Sequence, residues 1–145
     1  MDLDSAMKIS ASGLNANRTW INVLSSNLAN ANTTKTADGG PYMRKTVVYA
    51  SSPAEGFAGA LNAAMGEGAD EVEVTDIIPD KRDFREMYDP GHPDANEKGI
   101  VLMPNVNQVE EMANLVNASR SYEANLAALH TTKQLALKAI DIGSK

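Results

Sequence analysis

The chain has 145 residues and no cysteine. That excludes a disulfide framework, a thiolate metal site and a cysteine nucleophile, and it leaves the compartment unreadable from thiols. Aromatic residues make up only 5% and there are two histidines, so the usual general bases are scarce. No run approaches the ~20 apolar residues that a bilayer-spanning helix needs, so direct membrane insertion is not expected. The first ten residues, MDLDSAMKIS, begin with two Asp and lead into no uninterrupted apolar core. A secretory signal peptide is therefore not expected, and export from the cytoplasm would need another route. Basic charge is also short: 13 Lys and Arg face 19 Asp and Glu, a net charge of -6. Split along the chain, residues 1–50 carry +2, 51–100 carry -8 and 101–145 carry 0. An acidic centre without a basic stripe offers no counterion-releasing surface, which argues against nucleic-acid binding.

What is present is periodicity. The length suits one domain with a modest core. From Leu3, small or apolar residues recur at spacings of four and three: Leu3, Met7, Ser10, Leu14, Asn17, Ile21, Leu24, Leu28, Ala31. This heptad predicts one helix over 3–31, ~43 Å long at 1.5 Å per residue. A second helical pattern runs from Val106 to Ile142, with a seam of Met112, Leu115, Ser119, Tyr122, Leu126, Leu129, Lys133, Ala136 and Ile140. Between them the period shortens. Arg44 to Ala50 is β-branched and aromatic, and Asp70 to Ile78 alternates acidic with apolar side chains; both read as strands. The apolar run after Gly99 can add a short third strand. Ser51 to Gly68 is Gly- and Ala-rich and reads as a mobile loop. The expected fold class is α+β, with long N- and C-terminal helices pairing as a coiled coil around a small central β-rich domain. The corresponding division is 1–34, 35–104 and 105–145.

The terminal helices look poor at standing alone. Burying the six larger apolar members of the first seam gains roughly 9 to 18 kcal/mol. Ordering its backbone costs about 1 to 2 kcal/mol per residue, and Gly13 with five Asn weakens it further. Two arrangements remain open: a self-contained helical hairpin on a β unit, or a subunit whose ends order only in an assembly. Ser10, Asn17, Ser119 and Lys133 in the seams tilt the balance towards the assembly, because polar seam residues fix register between chains.

Candidate chemistry is thin. His92 lies in a Pro- and Gly-rich turn, and His130 sits beside the second seam. Asp94 to Gly99 begins like a calcium loop, but Lys98 stands at its fifth position and Asn105 at its twelfth, where carboxylates are wanted. Glu71 with Glu73 and Asp83 with Glu86 form carboxylate pairs, yet no nucleophile, base and orienting group converge on them. No catalytic residue, cofactor or metal site is expected, and Gly39-Gly40-Pro41 is a turn, not a phosphate cradle.

Two motifs exceed what a plain core requires. Ser25 to Thr34 (SSNLANANTT) gathers amides and hydroxyls at the end of the first seam, able to cap carbonyls locally or bond across to a neighbour. Ser119 to Asn125 (SRSYEAN) places Tyr122 on the second seam. The segment Ser26 to Thr34 resembles the Asn-rich N-terminal signature of bacterial flagellar axial proteins, the rod, hook and hook-associated family. Gly39 to Lys45, Tyr88 to Asp94, Pro104 to Asn107, Ser119 to Asn125 and Ala139 to Gly143 narrow the resemblance to proximal-rod proteins, in order and over nearly the full chain. Glu97-Lys98 departs from that pattern, where a small or acidic residue is expected.

The resemblance implies a structural subunit without enzymatic activity. In that family the terminal helices pack as an inner coiled-coil layer, the middle forms an outer β domain, and the rod crosses the periplasm and passes torque to the hook. It implies as partners further copies of the chain, other proximal and distal rod proteins, the rod-to-ring adaptor, the membrane ring and the flagellar type III export apparatus. The assembly contacts expected from the residues are Leu14, Ile21, Leu24 and Leu28 facing Leu115, Tyr122, Leu126 and Leu129, with Asn27, Asn30 and Asn32 bonding between subunits. Leu24→Asp is then expected to block assembly while sparing the centre. A different proximal-rod paralogue, a cytoplasmic coiled-coil adaptor and a carboxylate hydrolase are the alternative readings.

Overall fold

A computed structural model describes residues 3–53 and 70–143. Among the described residues two long helices stand at the ends of the chain with four short strands between them in sequence, in the order α1 (Leu3–Ala29), β1 (Lys45–Pro53), β2 (Asp70–Pro79), β3 (Arg85–Tyr88), β4 (Ile100–Met103) and α2 (Gln108–Gly143). The architecture is α+β, as the change of period along the sequence implies. Within the expected loop 51–68, residues 51–53 continue β1, and the rest lies outside the described residues.

Local chemistry sets the helix ends. At the end of α1 the bonding tightens from Asn30 N–H to Ser26 O into Ala31 N–H to Leu28 O, while the Asn30 amide caps Ser26 O at 2.9 Å. The chain then reverses through Gly39 and Gly40, both at positive φ (84° and 80°), where a side chain would be strained. At the other end, Asn107 accepts the Val109 and Glu110 N–H groups on its Oδ1 and so caps α2. Because Asn107 is the cap, α2 begins at Gln108, two residues later than its apolar pattern suggests. Glu110 and Glu111 in the first turn complement the helix dipole.

β1 and β2 form an antiparallel hairpin pairing Lys45 with Pro79 and Pro53 with Asp70. Val48 pairs with Asp76 but Tyr49 with Val74, so Thr75 is an extra, unpaired residue. That bulge corrects a fault in the sequence alternation: Val72 and Val74 are in phase with each other, and Ile77 is not. With the extra residue, all three share the face turned to α1. Val72 N–H donates to Ser12 Oγ of α1 at 3.1 Å, and Ile77 lines a hollow beside Val23. β3 pairs antiparallel with β4, burying Val101 and Met103. β3 is absent from the sequence reading, since Arg85-Glu86-Met87-Tyr88 is exposed throughout and shows no apolar alternation. Gly99, which leads into β4, is buried at φ +73°, and a Cβ there would meet Pro90 Cγ at 3.0 Å.

α1 lies between the β1–β2 hairpin on one side and α2 on the other, and among the described elements α2 packs only against α1. Gly13 approaches Asn125, and Asn27 bonds Glu111. Both pairs are fourteen residues apart on their own helix, so the helices run antiparallel over two heptads. Continued, this register brings α2 level with Leu3 near residue 135, and the last two turns of α2 overhang. Residues 137–143 are accordingly all exposed.

Candidate assembly interface

The helix pair closes on small and polar residues, which corrects the seams expected from apolarity. On α2 the covered positions run Glu111, Asn114, Leu115, Ala118, Ser119, Tyr122, Asn125, Leu129, Thr132, Ala136. Leu115, Tyr122, Leu129 and Ala136 are as expected. Ser119 is half-buried too, whereas Met112, Leu126 and Lys133 are exposed and Glu111, Asn125 and Thr132, each one residue earlier, are covered. On α1, Gly13 and Asn27 meet α2 where Leu14 and Leu28 were expected. The physical reason is close approach: Gly13 admits Asn125, and an added Cβ would stand 2.9 Å from its Nδ2. The larger apolar neighbours are displaced to the flank.

The centre of the molecule is a continuous polar network. Asn27 is fully buried and uses all four hydrogen-bonding positions within the chain. Its Nδ2 donates to Lys45 O (2.8 Å) and Glu111 Oε2 (2.9 Å), and its Oδ1 accepts from Tyr42 Oη (3.0 Å) and Lys45 N (2.9 Å). Within the chain this occupies both amide hydrogens and both lone pairs of the Asn27 side chain. The Glu111 side chain is 0% exposed, and its second oxygen accepts from Arg44 Nε at 2.7 Å. Arg44 reaches Asp80 at 3.3 Å, Asp80 accepts from Arg82 at 2.8 Å, and Arg82 reaches Glu110 at 3.3 Å. Asn105 ties the same strap down: its Oδ1 accepts Arg44 N–H, and its Nδ2 donates to Asp80 O and Arg82 O. Four separate segments are thus joined around one buried carboxylate.

Burial alone pushes the Asp80 carboxyl up, but the Arg82 backbone N–H and the Arg82 and Arg44 guanidiniums outweigh it and hold it below its ordinary 3.8. A carboxyl lowered by folding contributes stability that is complete above its unfolded value and lost as pH falls through the folded one. Asp80→Asn should therefore flatten the loss of stability on acidification below about pH 4. Urea midpoints measured at pH 6, 4 and 3 for both proteins check this; parallel curves would count against it.

The remaining candidates fall into three groups. Leu24 is 1% exposed and belongs to the internal core, while Leu14, Ile21, Leu28, Asn30, Leu115, Tyr122 and Leu129 are half-buried. Asn30 is spent locally, accepting from Thr33 Oγ1 at 3.2 Å. Asn32 is exposed, and Leu126 retains 39% exposure. The calcium-like turn employs its oxygens internally: Asp94 accepts from Thr34, and Asn96 Oδ1 accepts the Lys98 and Ile100 N–H groups. His92 Nδ1 accepts the Asp94 N–H, and His130 is exposed. Among the described residues, no three His, Cys, Asp or Glu side chains are arranged to hold a metal, and no helix is long and apolar enough to cross a membrane.

What apolarity missed is how much of α2 stays uncovered. Val109, Met112, Val116, Leu126, Leu135, Leu137, Ile140 and Ile142 are all exposed, Ile142 to 78%. Exposed apolar surface distributed along a whole helix marks an interaction face. Both ends of the chain match family models: residues 7–35 match "Flagella basal body rod protein", and 97–142 match "Flagellar basal body rod FlgEFG protein C-terminal". The class is that of flagellar basal-body rod proteins, as the terminal motifs anticipated.

Curated relatives narrow it. The chain is 43% identical to the flagellar basal-body rod protein FlgC of Bacillus subtilis over 145 residues, covering 95% of this chain and 96% of that one. It is 38% identical to the FlgC protein of Borreliella burgdorferi, covering 98% of each, and 41% identical to that of Escherichia coli, covering 99% of each. The chain belongs to the FlgC family of flagellar basal-body rod proteins.

Proposed function

We propose that the chain is a non-enzymatic structural subunit of the proximal rod, built into the flagellar basal body within the periplasm through its terminal helices. The observation that carries this reading is the uncovered apolar flank of α2. Beside the half-buried Leu115, Tyr122 and Leu129 the helix contact is made of small and polar residues, and eight further large apolar side chains of α2 stay exposed, more than an isolated hairpin would leave in water. Leu126, the exposed parts of Leu14, Ile21, Leu28, Leu115, Tyr122 and Leu129, and the polar edge at Asn30 and Asn32 extend that surface. The helices then form the inner layer and the acidic β segment the outer one, matching the near-neutral ends and the -8 centre. Its neighbours in this reading are further copies, the other proximal and distal rod proteins and the ring adaptor, reached through the flagellar type III export route.

Fractionation tests the reading. The chain should copurify with detergent-extracted basal bodies, and its deletion should leave cells non-motile and without rods. Recovery only from soluble cytoplasm, with normal motility in the deletion strain, would favour a cytoplasmic coiled-coil adaptor instead.

A further inference from the structure

We propose that Asn27, Glu111 and Arg44 form a register lock, a buried polar triad that selects one alignment of α1 against α2 and indexes it to the outer hairpin. The rest of the helix contact carries little information about alignment. Its members recur every seven residues and are mostly small or only partly covered, so sliding one helix by a heptad again sets seam against seam. In one such slide Asn27 would stand opposite Ala118 and Gly13 opposite Thr132, and α1 would overlap as much of α2 as before, the overhang passing from the C-terminal end of α2 to its N-terminal end.

Helix overlap therefore does not choose between the two alignments, and the triad does. In the slid alignment Glu111 leaves Asn27 behind, and its carboxylate, 0% exposed here, loses its amide donor. Asn27 would face the methyl of Ala118 and lose one of its four hydrogen bonds, the one to Glu111. Both penalties come from orphaned buried polar groups, which are steep, while apolar slippage is nearly neutral. Arg44 extends the choice outward. Its Nε bonds Glu111 and its Nη1 bonds Asp80, just past β2, so the helix alignment and the hairpin position are set together. Buried ion networks of this kind add little net stability over apolar residues of similar size, and fixing register is their best-attested use.

Because the chain has no cysteine, engineered pairs report alignment directly. Gly13→Cys with Asn125→Cys reads the observed register in the purified full-length chain. Gly13→Cys with Thr132→Cys, and Asn125→Ala to relieve crowding, reads the slid one. In the parent, oxidation should link only the first pair. Replacing the triad together (Asn27→Leu, Arg44→Met, Glu111→Leu) should leave the thermal midpoint equal or higher while the 13–132 product rises by at least about tenfold. A folded triad variant that links only 13 to 125 would overturn the proposal, as would 13–132 product in the parent. If circular dichroism shows the triple replacement unfolded, the near-isosteric Glu111→Gln decides. Detectable 13–132 product supports the lock, and 13–125 product alone refutes it.

Discussion

Arg44→Ala should lower the unfolding free energy by about 3 to 5 kcal/mol, a large share of the roughly 5 to 15 kcal/mol that holds a domain together. The arithmetic rests on what is left behind. Removing the guanidinium strips Glu111 of its one cationic partner while the carboxylate stays inside the molecule, held by Asn27 alone. It also frees Asp80 of one of its two arginines. Arg82→Ala is the natural contrast. Arg82 is 48% exposed, and its pairs with Asp80 and Glu110 are partly solvated, so its loss should cost under about 1 kcal/mol. Arg44→Lys should fall between them, because a single ammonium cannot reproduce a planar fork that reaches two carboxylates. Urea unfolding followed by circular dichroism measures all three, with unchanged m-values as the check on two-state behaviour. An Arg44→Ala variant within 1 kcal/mol of the parent would remove the buried pair from any account of this fold.

These magnitudes bear on which parts of the fold were readable. Both long helices were legible because their apolar period persists through four or more turns, and the β1–β2 hairpin because Val, Ile and Tyr cluster between turn residues. The seams were half legible. Ranking by apolarity selects Leu28 over Asn27, Met112 over Glu111 and Leu126 over Asn125, and it fails where a buried contact is built from hydrogen bonds. The exception was detectable in principle: the amides of Ser25 to Thr34 stand out in a helix otherwise closed by aliphatic residues. Which amide turns inward depends on Lys45 and Glu111 arriving from 18 and 84 residues away, information that no local window contains. The Thr75 bulge was hidden for a related reason. A strand whose apolar phase slips reads as a short strand until its partner forces the extra residue out of the ladder. β3 gave no signal because it buries none of its side chains, and the family itself was legible from short ordered motifs, not from physics of packing.

Charging the exposed flank of α2 should abolish motility without unfolding the chain. Val116→Asp combined with Ile140→Asp places carboxylates where side chains are 52% and 67% exposed, so the isolated protein should keep its unfolding free energy within about 0.5 kcal/mol. In an assembly that covers the flank, each carboxylate would have to be dehydrated without a partner. That costs several kcal/mol per contact and weakens association by more than about a hundredfold. The choice of position is decisive. Leu24→Asp, the substitution that the apolar seam recommends, would bury its charge inside the chain, since Leu24 is 1% exposed. A non-motile Leu24→Asp strain would therefore report a broken monomer and carry no information about assembly. The paired flank substitutions separate the two effects when purified stability and swimming are measured on the same variants. A chain that remains folded, enters basal bodies and supports normal swimming with both aspartates in place would show that this face of α2 stays in water, and the contacts would have to be sought on the half-buried leucines of α1.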